Sequence, residues 1–143
     1  MRIRFFHTTL LIGSLLLAGC IDDSASYQIG DRDHALSIFR VQPYFWQEEV
    51  ALSLVVSHLP DCQRRHSVAN VDASAATIEL YETDAQKFML HEGSRWYLID
   101  SENCSLEPID APGQAVQGTL QGKFEEDEKR RLVFVAAQAV KQR

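Results

Sequence analysis

The sequence predicts an all-β, mainly antiparallel domain, a small barrel or sandwich of about 6–8 strands with room for one short helix. Three observations carry this. Segment 50–59 (VALSLVVSHL) alternates, with Val50, Leu52, Leu54 and Val56 on one face and Ala51, Ser53, Val55 and Ser57 on the other, the period of a half-buried strand. Apolar runs rich in β-branched and aromatic residues recur every 10–14 residues with turn signals between them, the spacing of sandwiches and barrels. The composition, 45% apolar and 24% charged over 143 residues, is that of one ordinary globular domain.

The elements follow in order. Segment 35–46 (ALSIFRVQPYFW) reads as the first strand, an edge or a strand that breaks at Pro43, because proline cannot donate to a ladder. Gln47-Glu48-Glu49 makes a polar turn into 50–59, so the two form a hairpin, and Pro60-Asp61 ends the second strand. Segment 63–75 is polar and small, a loop or weak strand. Thr77–Tyr81 follows, then 88–91 and 95–100 as a hairpin with Gly93 at its turn, then 104–109. Through 114–124, Val116, Gly118, Leu120, Gly122 and Phe124 alternate, and the glycines predict bulges or sharp curvature. Leu132–Ala136 is the return strand. Two stretches carry a competing helical signal, 77–92 by apolar spacing and 125–140 by acids preceding bases; residue type (TIELY, LVFV) favours strands for both.

The N-terminus has another character. Arg2 and Arg4 precede an apolar run, Leu10–Leu17, that ends in Ala18 and Gly19, with no acid before Asp22. This is the order of a secretory signal, and the run is short of the roughly 20 residues a membrane-spanning helix needs. Leu17-Ala18-Gly19-Cys20 resembles the lipobox of bacterial lipoproteins. The resemblance covers residues 1–20 only, and the rest of the chain matches no family motif. It implies diacylglycerol on the Cys20 sulfur, cleavage before Cys20, and attachment to membrane through several acyl chains, at about 0.8 kcal/mol per buried methylene. Lipoproteins held at the inner membrane tend to have Asp after the cysteine; Ile21 therefore implies the outer membrane, with the domain facing the periplasm.

The chain accordingly divides into a signal peptide (1–19), a lipidated flexible tether (20–33) and a periplasmic domain (34–143). Segment 21–33 (IDDSASYQIGDRD) holds four Asp and few large apolars, and thirteen flexible residues span on the order of 20 Å. The net charge of -6 becomes -8 once residues 1–19 are removed and -5 within the domain, which argues against nucleic acid as partner. With Cys20 lipidated, Cys62 and Cys104 remain, and an even pair in an oxidising compartment reads as one disulfide. Two separate thiols, or half of a metal site, are the alternatives; Cys62 and His66 form the closest pair of ligand types.

No residue pattern specifies a reaction. There is no Gly-x-Ser-x-Gly elbow, and Ser94 sits in a turn. His34, His58, His66 and His91 show no metal-ligand spacing. The Asp31-Arg32-Asp33-His34 cluster lacks the ligand number and turning glycine of a calcium loop. Glu48-Glu49 and Glu125–Glu128 read as solvated turns, Lys129-Arg130-Arg131 neutralises the acids beside it, and Arg64-Arg65-His66 reads as a solvated basic loop. No cofactor is expected. The aromatic pairs on strands, Tyr44-Phe45-Trp46 and Trp96-Tyr97, put large rings on both faces, so Trp46 and Trp96 are the candidate partner contacts, although a small sandwich also buries both faces. The expected role is non-catalytic: an outer-membrane-anchored binding or assembly module acting on an unidentified envelope protein. The alternatives are a lipid-anchored inhibitor of a periplasmic hydrolase, of the lysozyme-inhibitor kind, and a lipid or small-ligand carrier.

Overall fold

The computed structural model describes residues 20–74, 76–84, 86–112 and 118–137; the signal segment 1–19, Val116 and the end of the 125–140 stretch lie outside them. Among the described residues there are ten strands and no helix: β1 (Asp22–Gln28), β2 (His34–Val41), β3 (Glu49–His58), β4 (Cys62–Asp72), β5 (Ile78–Asp84), β6 (Lys87–Glu92), β7 (Arg95–Asp100), β8 (Ser105–Ile109), β9 (Thr119–Glu126) and β10 (Leu132–Ala136). They form two antiparallel sheets, β1-β2-β3-β4 and β10-β9-β5-β6-β7-β8. The pair is sandwich-like and does not close into a barrel.

The expected alternation in 50–59 is present: Val50, Leu52, Leu54 and Val56 are buried on one face. In β2, Leu36, Ile38 and Arg40 continue the same inward row, opposite Val56, Leu54 and Leu52 respectively. The six-stranded sheet answers with Ile78, Leu80, Phe88, Leu90, Tyr97, Ile99 and Phe124, and β10 adds Leu132. Burying these side chains, at roughly 1.5–3 kcal/mol each, is what drives the two sheets together. Both stretches with a competing helical signal are strands as far as they are described, β5–β6 and β9–β10. Gly93 (φ 58°) forms the β6–β7 turn. At Gly122 the register with β5 shifts between Leu80 and Tyr81. A Cβ there would meet the Val135 carbonyl oxygen and approach Phe134 Cζ to 2.6 Å, so the expected bulge is real and only a residue without a side chain fits it.

Three expectations need correction. The strand count is ten rather than 6–8: β1 lies in the segment expected to be a tether, and β4 realises the strand alternative for the segment expected to be a loop or weak strand. Both are edges of the four-stranded sheet, where a strand with one edge open to water carries polar residues. Half of the segment 20–33 is therefore strand: Asp22–Gln28 pairs with β2 from Asp22↔Val41 to Gln28↔Ala35, and its alternation in exposure points Asp23, Ala25 and Tyr27 inward. Finally, Tyr44, Phe45 and Trp46 are not on a strand. β2 stops at Val41, the break Pro43 allowed, and the three rings lie in the β2–β3 loop.

Candidate functional site

The described features gather at two ends of the sandwich and on one outer face. The first end is where β1 begins, and Cys20 is exposed there. Ile21 alone separates it from β1, and the Ile21 carbonyl accepts a hydrogen bond from the Gln42 N–H (2.7 Å). That bond sets Cys20 beside the β2–β3 loop. In the loop, Tyr44, Phe45 and Trp46 are 51%, 64% and 66% exposed. Their rings contact one another: Tyr44 stacks on Trp46 at 4.9 Å between centroids, and Phe45 meets Trp46 edge-on at 4.9 Å.

Arg40 fixes this end. It is completely buried, on the inward row of β2. Its Nε donates to Asp23 Oδ1 (2.9 Å) and Nη2 to Asp23 Oδ2 (2.8 Å), a bidentate pair within one sheet. Nη1 donates to Glu126 Oε2 (2.7 Å) of β9 in the opposite sheet, and Nη2 also donates to the Arg130 carbonyl (3.0 Å) in the turn between β9 and β10. Asp23 Oδ2 accepts in addition from the Leu132 N–H (2.8 Å). Burial pushes the Asp23 carboxyl up, but its bonds to Arg40 and Leu132 and the Arg40 charge outweigh this and hold it below the ordinary aspartate value. The planar fork of arginine allows one buried group to hold two carboxylates and a carbonyl at once. An open recess of about 680 Å³ beside it is lined by Ile21, Gln42, Glu48, Asp72, Ala73, Ser74 and Arg130.

The opposite end carries the disulfide. Cys62 begins β4 and Cys104 closes the β7–β8 turn, with Cα atoms 6.1 Å apart, so the expected bridge joins the two sheets. His66 Nε2 donates to the Cys104 carbonyl at 2.8 Å, a structural role for the ligand-type residue nearest Cys62. Tyr97 Oη donates to the Val68 carbonyl (2.7 Å) across the sheets. The β3–β4 register shifts at Leu52/Ser53, where the partners jump from Ala69 to Ser67, so Val68 is the bulged residue and its carbonyl is free for this bond. His34 and His58 stack at 4.2 Å, and His34 Nε2 and His58 Nδ1 are buried without a partner. Burial first, then the nearness of His58, lowers the His34 pKa.

Trp96 lies elsewhere, on the outer face of the six-stranded sheet. His91 stacks on it at 3.9 Å and Tyr81 lies at 6.0 Å. His91 Nδ1 and Tyr81 Oη both donate to Glu79 Oε2 (2.9 Å each). The His91 bond, then that of Tyr81, holds Glu79 below its usual value against burial. Trp46 and Trp96, taken from sequence as one kind of contact residue, thus belong to different surfaces. Among the described residues no cluster of three His, Cys, Asp or Glu side chains is arranged to hold a metal ion.

The residues that sequence reading missed are Arg40 and Asp23. Their signal was the period of two: Arg40 continues Leu36 and Ile38, and Asp23 precedes Ala25, Tyr27 and Ile29. Comparison with family models, curated proteins and solved structures finds no match to this chain.

Proposed function

We propose that this chain is a bacterial outer-membrane lipoprotein whose periplasmic β domain works by binding another envelope component, not by catalysis. The observation that carries the reading is the setting of Cys20 at the end of the lipobox-like sequence: it is exposed and stands one residue ahead of a strand clamped into the fold. A lipid there would be joined to the domain with almost no slack. The Cys62–Cys104 bridge supports an oxidising compartment. The outer sheet face around Trp96, Tyr81 and His91 supplies the aromatic area that protein contacts favour. The charged lining of the open recess, with Glu48, Asp72 and Arg130, speaks against a carrier of apolar ligands.

The test is to express the full chain in a bacterial host fed an alkyne-bearing fatty acid. The wild type should be labelled and sediment with outer membranes. Cys20→Ala should lose both properties. Labelling that survives this change would overturn the anchor. A photocrosslinker at position 96 in the same cells should capture one envelope protein, and no capture there would refute the role of that face.

A further inference from the structure

We infer that the Tyr44-Phe45-Trp46 loop enters the interfacial layer of the lipid bilayer, so that the domain touches the membrane with this end as well as through Cys20. The inference rests on the lipid-anchor reading and adds to it a protein surface and a partner: a zwitterionic phospholipid interface.

Because β1 starts at Asp22, only Cys20 and Ile21 lie between a lipid and the folded domain. Two residues extend to at most about 7 Å. An end of the sandwich held that close to the acyl chains is in the headgroup layer. The Gln42–Ile21 hydrogen bond puts the β2–β3 loop at this same end. The loop presents three aromatic rings that are at least half exposed and packed on one another. In water such a cluster leaves apolar area unburied. Trp and Tyr are the side chains that settle at bilayer interfaces, with ring area in the acyl boundary and a polar edge in the headgroups.

The charges around the loop fit zwitterionic lipid. Gln42 to Gln47 carries no charge, whereas Asp22, Glu48, Glu49 and Asp72 are exposed around it. The turn 127–131 reaches the same end, since Leu132 N–H and the Arg130 carbonyl both join the Arg40–Asp23 clamp. It brings Lys129, Arg130 and Arg131 beside Asp127 and the exposed Glu128, with Arg131 paired to Asp127 (2.9 Å) and Arg130 to Glu126 (3.5 Å). Acids and bases interspersed in this way match headgroups that carry an ammonium and a phosphate, and give no net attraction to an anionic surface. Contact through rings also predicts little sensitivity to salt.

The experiment uses the two tryptophans as depth reporters. The full chain carrying Trp96→Phe is produced in a bacterial host and purified from membranes in detergent. Intact mass reports whether Cys20 is acylated. The protein is then placed in vesicles of phosphatidylcholine and phosphatidylethanolamine, with and without bromine on the acyl chains. The expected result is an acylated chain whose Trp46 emission is shifted to the blue and strongly quenched by the brominated lipid, equally in low and high salt. Trp96, read alone in Trp46→Phe, should remain unquenched. An acylated chain with unquenched Trp46 overturns the inference while the anchor stands, and leaves the loop as a protein contact. Equal quenching of both tryptophans overturns it as well, because the domain then lies on the bilayer without a preferred end. A chain with no acyl group refutes the anchor, and the inference falls with it.

Discussion

Replacing Arg40 by methionine tests whether one buried side chain holds the two sheets together at the Cys20 end. Methionine keeps most of the arginine stem's packing, so the cavity cost stays small. What disappears are four hydrogen bonds: two to Asp23, one to Glu126 and one to the Arg130 carbonyl. Removing one partner of a buried ion pair costs about 3–5 kcal/mol. Here the arginine side chain is 1% exposed while those of Asp23 and Glu126 are 24% and 28% exposed, so the two carboxylates recover part of their hydration. That places the loss near the lower bound, about 3 kcal/mol. With a urea dependence of about 1.5–2 kcal/mol per molar, the unfolding midpoint should fall by roughly 1.5–2 M at pH 7. The pH profile adds a second constraint. The folded-state pKa of Asp23 lies below its unfolded value, so its stabilisation is fully present above the unfolded pKa of about 3.9 and is lost as pH falls through the folded value. The gap between wild type and Arg40→Met should therefore stay constant from about pH 8 to 5 and narrow below about pH 4. Urea titrations followed by circular dichroism, with the disulfide intact, measure both. A loss of under about 1 kcal/mol at pH 7, the scale of an exposed pair, or a gap unchanged down to pH 2.5, would refute the clamp.

Two more outcomes follow from the other end of the sandwich. Replacing Cys62 and Cys104 together by alanine opens a covalent loop with a sequence separation of 42; chain entropy puts the cost at roughly 4 kcal/mol, to be read as the difference in urea midpoint between this variant and the oxidised protein. For His34, the folded pKa is depressed by burial and by the nearness of His58, so the unfolded chain takes up the proton first. Stability should be flat above the unfolded pKa of about 6.5 and fall as pH drops below it towards the folded value; thermal melts from pH 7.5 to 5 should show this slope in wild type and lose it in His34→Gln.

How far the fold was legible depends on which side of a strand pays for its pairing. The strands buried on one face announce themselves, as Val50, Leu52, Leu54 and Val56 do. β1 and β4 stand at the edges of a sheet, and an edge keeps polar residues so as not to pair with another chain. Asp22-Asp23-Ser24 and Gln63-Arg64-Arg65 therefore carry the composition of a linker while forming strand. The period of two survives in β1, but it runs through Asp23, a residue that hydrophobicity reading discards. Arg40 is hidden in the same way, third in an inward row that begins with Leu36 and Ile38. Its burial is possible only because Asp23 and Glu126 arrive from other strands, 17 and 86 residues away along the chain, and no local window contains them. The disulfide was legible because counting does not depend on locality. The loop position of Tyr44, Phe45 and Trp46 was signalled by Pro43, and their shared exposure was not, since ring composition alone does not distinguish a core strand from a surface tip.

Asp23 of the clamp stands three positions after Cys20, and this has a mechanical consequence for the proposed attachment. While Asp23 is held by Arg40 and by the Leu132 N–H, the connection between a lipid on Cys20 and the fold is two residues, about 7 Å when extended. If β1 left the sheet, Asp22–Gln28 would join that connection, and nine residues reach about 30 Å. The domain would then stand clear of the headgroups, and the aromatic loop would leave the surface with it. On the proposed attachment the pairing of β1 would set the height of the domain above the bilayer, and the buried arginine restrains that pairing through two hydrogen bonds to Asp23. Loss of Arg40 should consequently weaken the quenching of Trp46 by brominated lipid even under conditions where the core, as judged by circular dichroism, remains folded. A domain built to hang freely from its lipid would need no ionic lock on its first strand. On the proposed attachment the loop would meet the membrane, and the lock at Asp23 stands three positions after the cysteine that would carry the lipid.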